Sequence, residues 1–457
     1  MNHRYSLQYK ATALRMKFHE GKKPKEIRTR LKKLFRFKPP KSTLRNWFRA
    51  YLTLGSAQIP SGDLDNAVAP DQPSDQFRSL VDDLVETLTG QEFPELSVLV
   101  RAVLQTGDVV PSKLFSTVGA LLDIGDRRGK RLVERFLKTD AVSNFDVSVA
   151  LLKMFVPEGQ DFLIAVDDTE IARCDHTTLM AVLILKHGQS VALAQTTILK
   201  SREKEETKAA VRKRLVERLR CIVDTAFPEG AGRAIILGDR NFGTVPLMKT
   251  LEKNRFYFIL RTQNHYAIRA NGIVLKAEEW RRAWVKRQPF VDPTGDTTAL
   301  VFRNVQWTEM HKYPVKLLVV HKEPRMQDTW TLLCNIPEFT ARQVIQCYAT
   351  RWKIETGFRN LKSSSRGLNF ATYRTKSTKR RDRWWLVTTI ASVVISTLGA
   401  ARCAVEPPNL NSKRTRTFSV FRRGLDTGKM FPILPQRLQL KILEKWQQVV
   451  ANPSEFL

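Results

Sequence analysis

The chain has 457 residues, is 42% hydrophobic, and carries a formal charge of +31 with a pI near 10.2. Its length and apolar content suit a core spread over two or three domains and exclude a disordered basic tail. The excess of positive charge calls for a polyanionic partner, nucleic acid first. Cys174, Cys221, Cys334, Cys347 and Cys403 are scattered without paired or metal-ligand spacing. Reduced core cysteines are therefore expected, rather than a disulfide framework or a zinc site.

The N-terminus opens polar, as Met1-Asn2-His3-Arg4-Tyr5, with no apolar signal segment behind it, so export is not expected. Sixteen Lys or Arg stand among the first 51 residues against Glu20 and Glu26. Residues 7–20 have helical apolar spacing and Gly21 ends them. Pro24 suits the first turn of a second helix through Ile27 and Leu31, and Ser42 caps a third through Leu44, Trp47 and Tyr51. This outlines a helix-turn-helix domain over residues 1–53. Its last helix would offer Lys41, Thr43, Arg45, Asn46 and Arg49 to a major groove; a basic helical hairpin without sequence preference is the plainer alternative. Residues 54–76, with Gly55, Pro60, Gly62, Pro70 and Pro73, predict a linker. Residues 77–157 keep a helical apolar period throughout, as in Leu80, Leu84 and Leu88, and predict an all-helical DNA-binding or lead-in domain.

The pattern changes at residues 162–166, a short apolar run that ends at Asp167-Asp168-Thr169. Strands are predicted over 180–186 and 191–199, then a long charged helix over 201–227. A strand follows over 234–237, ending at Gly238-Asp239-Arg240, then a helix over 245–253 and a strand over 257–261. The fold class is thus α/β, and this order is that of the ribonuclease H-like fold, its first part spanning residues 158–263. Asp167, Asp168 and Asp239 each follow a buried strand, where functional groups of α/β sheets collect; taken singly, each is more often a turn or cap residue. Alternating runs with turn signals at Asn271-Gly272 and Pro293-Thr294-Gly295 predict a β-rich insertion over 264–335.

In the second part of this α/β unit, residues 336–401, the stretch 346–362 spaces Tyr348, Arg351, Glu355 and Lys362 by three, four and seven. On one helix these share a stripe, a carboxylate flanked by cations and a phenol. A solvated face with an Arg351–Glu355 pair is the plain reading; a carboxylate that holds a metal beside a phosphodiester is the functional one. The apolar run 384–401, interrupted by Thr388, Thr389, Ser392 and Ser396, predicts a buried helix rather than a membrane span. Residues 402–457 predict a C-terminal helical region.

Asp167-Asp168-Thr169, Asp239-Arg240, and the Tyr348, Arg351, Glu355, Lys362 pattern together resemble the DDE transposases of the insertion-sequence-four group, over about residues 163–401. Residues 330–335, Trp-Thr-Leu-Leu-Cys-Asn, resemble that family's strand returning from its insertion. The resemblance implies an enzyme that cuts DNA at the ends of a mobile element and joins the freed 3′ hydroxyls to a target. Asp167, Asp239 and Glu355 would be the catalytic acids and hold Mg²⁺, with Mn²⁺ as the alternative; Asp167, two before Thr169, fits the family form better than Asp168. Tyr348, Arg351 and Lys362 would clamp phosphates, Arg240 would lie beside the DNA, and Trp330 and Trp352 would stack on a displaced base. It implies double-stranded DNA as partner, both element ends and target, bound by a homodimer in the bacterial cytoplasm with no membrane. A nuclease of the same fold and a non-catalytic DNA-binding regulator remain the other readings.

Overall fold

The structure, a computed structural model, describes residues 23–35 and 73–456, apart from 141, 171–174, 187–188, 200, 202–206, 231, 271–272, 278, 281–298, 309–311, 323–325, 366 and 408–418. Of the expected helix-turn-helix domain it describes α1, Pro24–Phe35, which buries Ile27 and Leu31. Lys41, Thr43, Arg45, Asn46 and Arg49 lie outside the described residues. The helical region comprises α2 (Pro73–Thr89), α3 (Pro94–Thr106), α4 (Pro111–Leu121), α5 (Gly125–Phe136) and α6 (Asn144–Phe155). Four of the five begin with a structural device read easily from sequence. Proline opens α2, α3 and α4, where its missing N–H costs nothing, and Ser143 caps α6 by accepting from Phe145 N and Asp146 N. The expected linker 54–76 ends earlier than its composition suggested, because Pro73 is the first residue of α2 and not a loop proline.

Ten strands then form one mixed sheet among the described residues: β1 (Phe162–Glu170), β2 (His176–Ile184), β3 (Ser190–Leu199), β4 (Ala234–Gly238), β5 (Tyr257–Thr262), β6 (Ala267–Ala270), β7 (Ile273–Lys276), β8 (Ala299–Trp307), β9 (Tyr313–His321) and β10 (Trp330–Cys334). Their order is β3-β2-β1-β4-β5-β10-β9-β8-β6-β7. β1, β2 and β3 are antiparallel neighbours, whereas β4 joins β1, and β5 joins β4, in parallel. The parallel links demand crossovers. α7 (Lys208–Ala226), capped by Thr207, lies between β3 and β4 in the chain, and α8 (Val245–Lys253) lies between β4 and β5. The helix expected over 201–227 therefore starts later, at Lys208.

The β-rich stretch 264–335 does not interrupt this sheet. β10 pairs antiparallel with β5 and β9 with β10, so its strands prolong the sheet at the β5 edge. Sequence shows alternation but not which edge a strand joins.

α9 (Ala341–Ala349) starts with a capping box, Thr340 accepting from Gln343 N while the Gln343 side chain accepts from Thr340 N. α10 (Trp352–Lys362) follows, then α11 (Thr378–Val405), α12 (Val420–Met430), α13 (Gln436–Ala451) and the short α14 (Pro453–Phe456). α11 runs four residues beyond the expected domain limit at 401. Residues 384–401 are all buried, since α11 packs on β3, α3, α12 and α13 at once. A helix surrounded in this way has no polar face, which accounts for its uniform apolarity. Of the cysteines, Cys334 is buried and Cys347 and Cys403 are partly so, but Cys221 is exposed on α7, against the expectation of a core thiol.

Candidate active site

β1 is paired with β4 in the register Phe162↔Ala234 through Val166↔Gly238. One step further in that register stand Asp167 and Asp239, so parallel pairing sets the two acids side by side where the strands part. Alternation along β1 sends Asp167 and Asp168 to opposite faces. Asp168 meets Arg212 of α7 at 3.4 Å, and Arg212 also donates to Asn241 O at 2.9 Å and lies 4.2 Å from the Phe242 ring. Arg212 thus braces β1 against the loop after β4, the loop that carries Asp239. Asp239 Oδ1 accepts from Asn241 N at 2.8 Å, a local turn that fixes its carboxylate. Sequence reasoning missed Arg212. It is one cation of many on a charged helix, and no spacing singles it out.

The Asp167 face meets the other half of the site. A single helix over 346–362 was expected, but the chain kinks at Thr350 and Arg351, whose N–H groups bond back to Cys347 O at 3.1 Å and Tyr348 O at 2.9 Å. α9 therefore ends at Ala349, and α10 begins at Trp352 with Arg351 at its N-cap. Arg351 Nη1 lies 3.5 Å from Asp167 Oδ2 and Nη2 lies 3.3 Å from Glu355 Oε1. The guanidinium is nearly buried, 5.9 Å from the Tyr348 ring and 5.8 Å from that of Trp352. Burial draws its pKa down, but the facing Tyr348, Asp167, Glu355 and Asp239 outweigh that and hold it above the usual arginine value. Asp167 is pushed up to about 6, first by burial and then by Asp239, with Arg351 only partly opposing them. The structure thus sets Arg351 against Asp167 of β1 and Glu355 of α10, with Asp239 of the loop after β4 close enough to raise Asp167.

Lys362, at the end of α10, donates Nζ to Glu170 O at 3.0 Å, and burial lowers its pKa against the pull of Asp167 and Glu170. Tyr348 is 2% exposed, its phenol raised by burial. Tyr348 and Arg351 are thus buried and Lys362 is half-buried, with Arg351 turned toward carboxylates and Lys362 toward a carbonyl. Trp330, at the start of β10, packs edge-on against Tyr348 at 5.0 Å and stands 5.8 Å from His321. Trp352 is 58% exposed beside the site. Arg240 is exposed and pairs with Asp328 at 3.6 Å.

The donor chemistry suits a divalent cation in part. Asp167 and Asp239 are hard-oxygen donors whose mutual repulsion a cation would relieve. Glu355 reaches them only through Arg351, and among the described residues no three acid, His or Cys side chains close on a single point.

Residues 158–393, just over half of the chain, match the family described as the transposase DDE domain. The chain belongs to the DDE transposase family. No curated protein matches it. Among solved structures, the Mos1 transposase paired-end complex with the left transposon end is similar at 13% identity, over 56% of this chain and 78% of that one, with a TM-score of 0.16. An overlay that loose adds nothing to the assignment, which rests on the family match.

Proposed function

We propose that this transposase cuts DNA at the ends of a mobile element and joins the freed ends to target DNA, with Asp167, Asp239 and Glu355 as its catalytic acids. The observation that carries the reading is the meeting of Asp167, Asp239 and Glu355 around Arg351, although these acids lie 72 and 116 residues apart in sequence. An antiparallel β1-β2-β3 followed by parallel β4 and β5 supports the ribonuclease H-like identity of the catalytic part. The same reading puts the enzyme on double-stranded DNA as a homodimer, in the bacterial cytoplasm.

The chemistry is two in-line displacements. Water attacks a phosphodiester phosphorus, the P–O3′ bond breaks, and the element is left with a 3′ hydroxyl. That 3′ oxygen then attacks a target phosphodiester, whose own 3′ oxygen departs with a proton. Asp167 and Asp239, with Glu355, would hold Mg²⁺ or Mn²⁺, which when bound activates the attacking oxygen and stabilises the leaving one. Arg351 neutralises the acids and fixes Glu355 beside Asp167, and Arg212 keeps Asp239 in register through Asn241. Trp352 offers an exposed ring face to an unstacked base.

The test incubates the full chain and Mg²⁺ with DNA flanking its own gene and maps products at nucleotide resolution. Cut ends joined to target support the proposal. Cutting without joining would make the chain a nuclease of the same fold, and binding without cutting a DNA-binding regulator.

A further inference from the structure

Outside the acid site, α5 presents a basic face. Arg127, Arg128, Lys130, Arg131, Arg135 and, just beyond its end, Lys138 are exposed, while Gly129, Val133 and Phe136 are buried on the opposite side. At 100° per residue the six cations fall on one continuous face, shared only with Glu134. Lys130 reaches Glu134 at 3.8 Å and Arg135 reaches Glu95 at 3.0 Å. Among the described residues, Arg127, Arg128 and Arg131 meet no carboxylate. These three charges stand together at the N-terminal end of α5, where the acids beside them are Asp123 and Asp126.

The way α5 is mounted has a specific form. A three-residue turn, Leu122 to Ile124, joins α4 to α5, with Asp123 at φ 53° and Gly125 at φ 73°. The two helices touch backbone to backbone. A Cβ on Gly129 would lie 2.3 Å from Phe115 O, and one on Gly119 would lie 2.7 Å from Gly125 O. A short turn between two closely packed helices, the second opening on a glycine and carrying an exposed basic face, is the build of a helix-turn-helix. We propose that α4 and α5 form a duplex-reading unit, additional to the N-terminal residues 1–53, in which α5 enters the major groove of double-stranded DNA. Arg127, Arg128 and Arg131, near its N-terminal end, face the bases and phosphates.

The unit is also tied to the acid site. Val109 N donates to Leu368 O at 2.9 Å, Asn369 Nδ2 donates to Asp108 Oδ2 at 2.9 Å, and Trp384 Nε1 donates to Val109 O. The loop that launches α4 is thus bonded to the chain just past α10, the helix of Glu355. A duplex gripped by α5 is held at a fixed offset from the place of cutting. The proposal rests on the DNA-cutting reading above for the identity of its partner.

The test uses the full chain without divalent cation. Duplexes are the DNA flanking its gene and a random sequence of equal length. In Arg127→Gln/Arg128→Gln/Arg131→Gln the slope of log affinity on log salt is expected to fall by about 0.9 for each phosphate no longer neutralised, about 2.7 in all. The wild type then loses about forty-fold more affinity than the variant between 50 and 200 mM salt. Methylation of guanine N7, in the major groove, is expected to block the wild type and not the variant. Melting temperature should be unchanged, since all three side chains are exposed. Lys249→Gln/Lys253→Gln, on the exposed side of α8, controls for net charge. An unchanged slope, an equal loss per charge in that control, or interference confined to the minor groove would overturn the proposal for α5. A wild-type chain that binds no duplex would instead refute the DNA reading as a whole, whereas one that binds and cuts with an unaltered triple variant would refute α5 alone.

Discussion

Asp167→Asn should stabilise the cation-free protein at neutral pH while it abolishes cutting. Burial and the neighbouring Asp239 raise Asp167 from 3.8 to about 6, so the folded chain holds this proton more tightly than the unfolded chain does. Below about pH 4 both states are protonated and the carboxyl costs nothing. Above about pH 6 both are ionised, and the folded state alone carries two crowded charges. Wild-type stability relative to the variant therefore falls as pH rises through that window. The difference corresponds to roughly 3 kcal/mol at pH 8, and the side chain, 20% exposed, is screened little by solvent. With an unfolding entropy of about 2.1 cal/mol/K per residue, 457 residues melting as one unit give a rise of about 3 °C. Asn keeps the acceptor that Asp167 Oδ1 offers to Asp168 N at 2.8 Å, so local geometry is retained. Calorimetry in EDTA from pH 4 to pH 8 would show the gap opening with pH. Added Mg²⁺ should then raise the wild-type Tm more than that of the variant. A variant that melts below the wild type at pH 8, or a gap independent of pH, would refute the account of Asp167 as a crowded acid.

Asp239→Ala and Glu355→Ala are expected to lose metal-dependent cutting while duplex affinity stays within about twofold, because neither removes a cation from the basic surface; gel shifts beside cleavage assays check this, and Asp168→Ala, whose carboxylate pairs with Arg212, is expected to keep cutting. Trp330→Ala should lower Tm and impair first and second strand cutting alike, since its ring is spent on Tyr348. Trp352→Ala should keep Tm and first-strand nicking but weaken binding to an unpaired end by about 1–3 kcal/mol, the value of one base stacked on a ring. Gly129→Ala should destabilise the chain by about 1–3 kcal/mol, because its methyl would press on Phe115 O across the α4–α5 contact; a melting curve unchanged from wild type would mean the two helices separate freely.

Much of the catalytic half could be read from local signals. Residues 162–166, 234–237 and 257–261 are short apolar runs bounded by turn residues, and each lies within an observed strand. The helix over 245–253 has the same limits as α8, set by Pro246 near its start and Asn254 at its end. What escaped was decided over longer distances. Strands β8, β9 and β10 alternate as insertion strands do, but their union with β5 depends on pairs such as Leu332↔Arg261, formed across 71 residues. The α9–α10 kink likewise had no signal, since Thr350 and Arg351 are ordinary helix residues with helical dihedrals and only their hydrogen bonds shift from i−4 to i−3.

Arg351 shows how spacing can be legible in a sequence while orientation is not. Spacing placed it beside Glu355 on a stripe, and a stripe is drawn as if it faced solvent. Whether it does depends on what covers it, and here α10 is pinned face-down on the sheet. Ser190 Oγ donates to Lys353 O at 3.3 Å, Lys353 Nζ donates to Leu185 O at 2.9 Å, and Lys362 Nζ donates to Glu170 O at 3.0 Å. Gly357 lets the helix settle, since a Cβ there would lie 2.3 Å from Ser190 Oγ. These contacts join residues more than 160 apart in sequence and involve groups that any helix or hairpin carries. They turn the stripe toward β1, so that Arg351 spends its charge on Asp167 and Glu355 and leaves Trp352, its immediate neighbour, at the surface. Sheet register places two of the acids and these few polar staples place the third, so the Glu355 side of the site is the one most sensitive to substitutions at Ser190, Lys353 and Gly357.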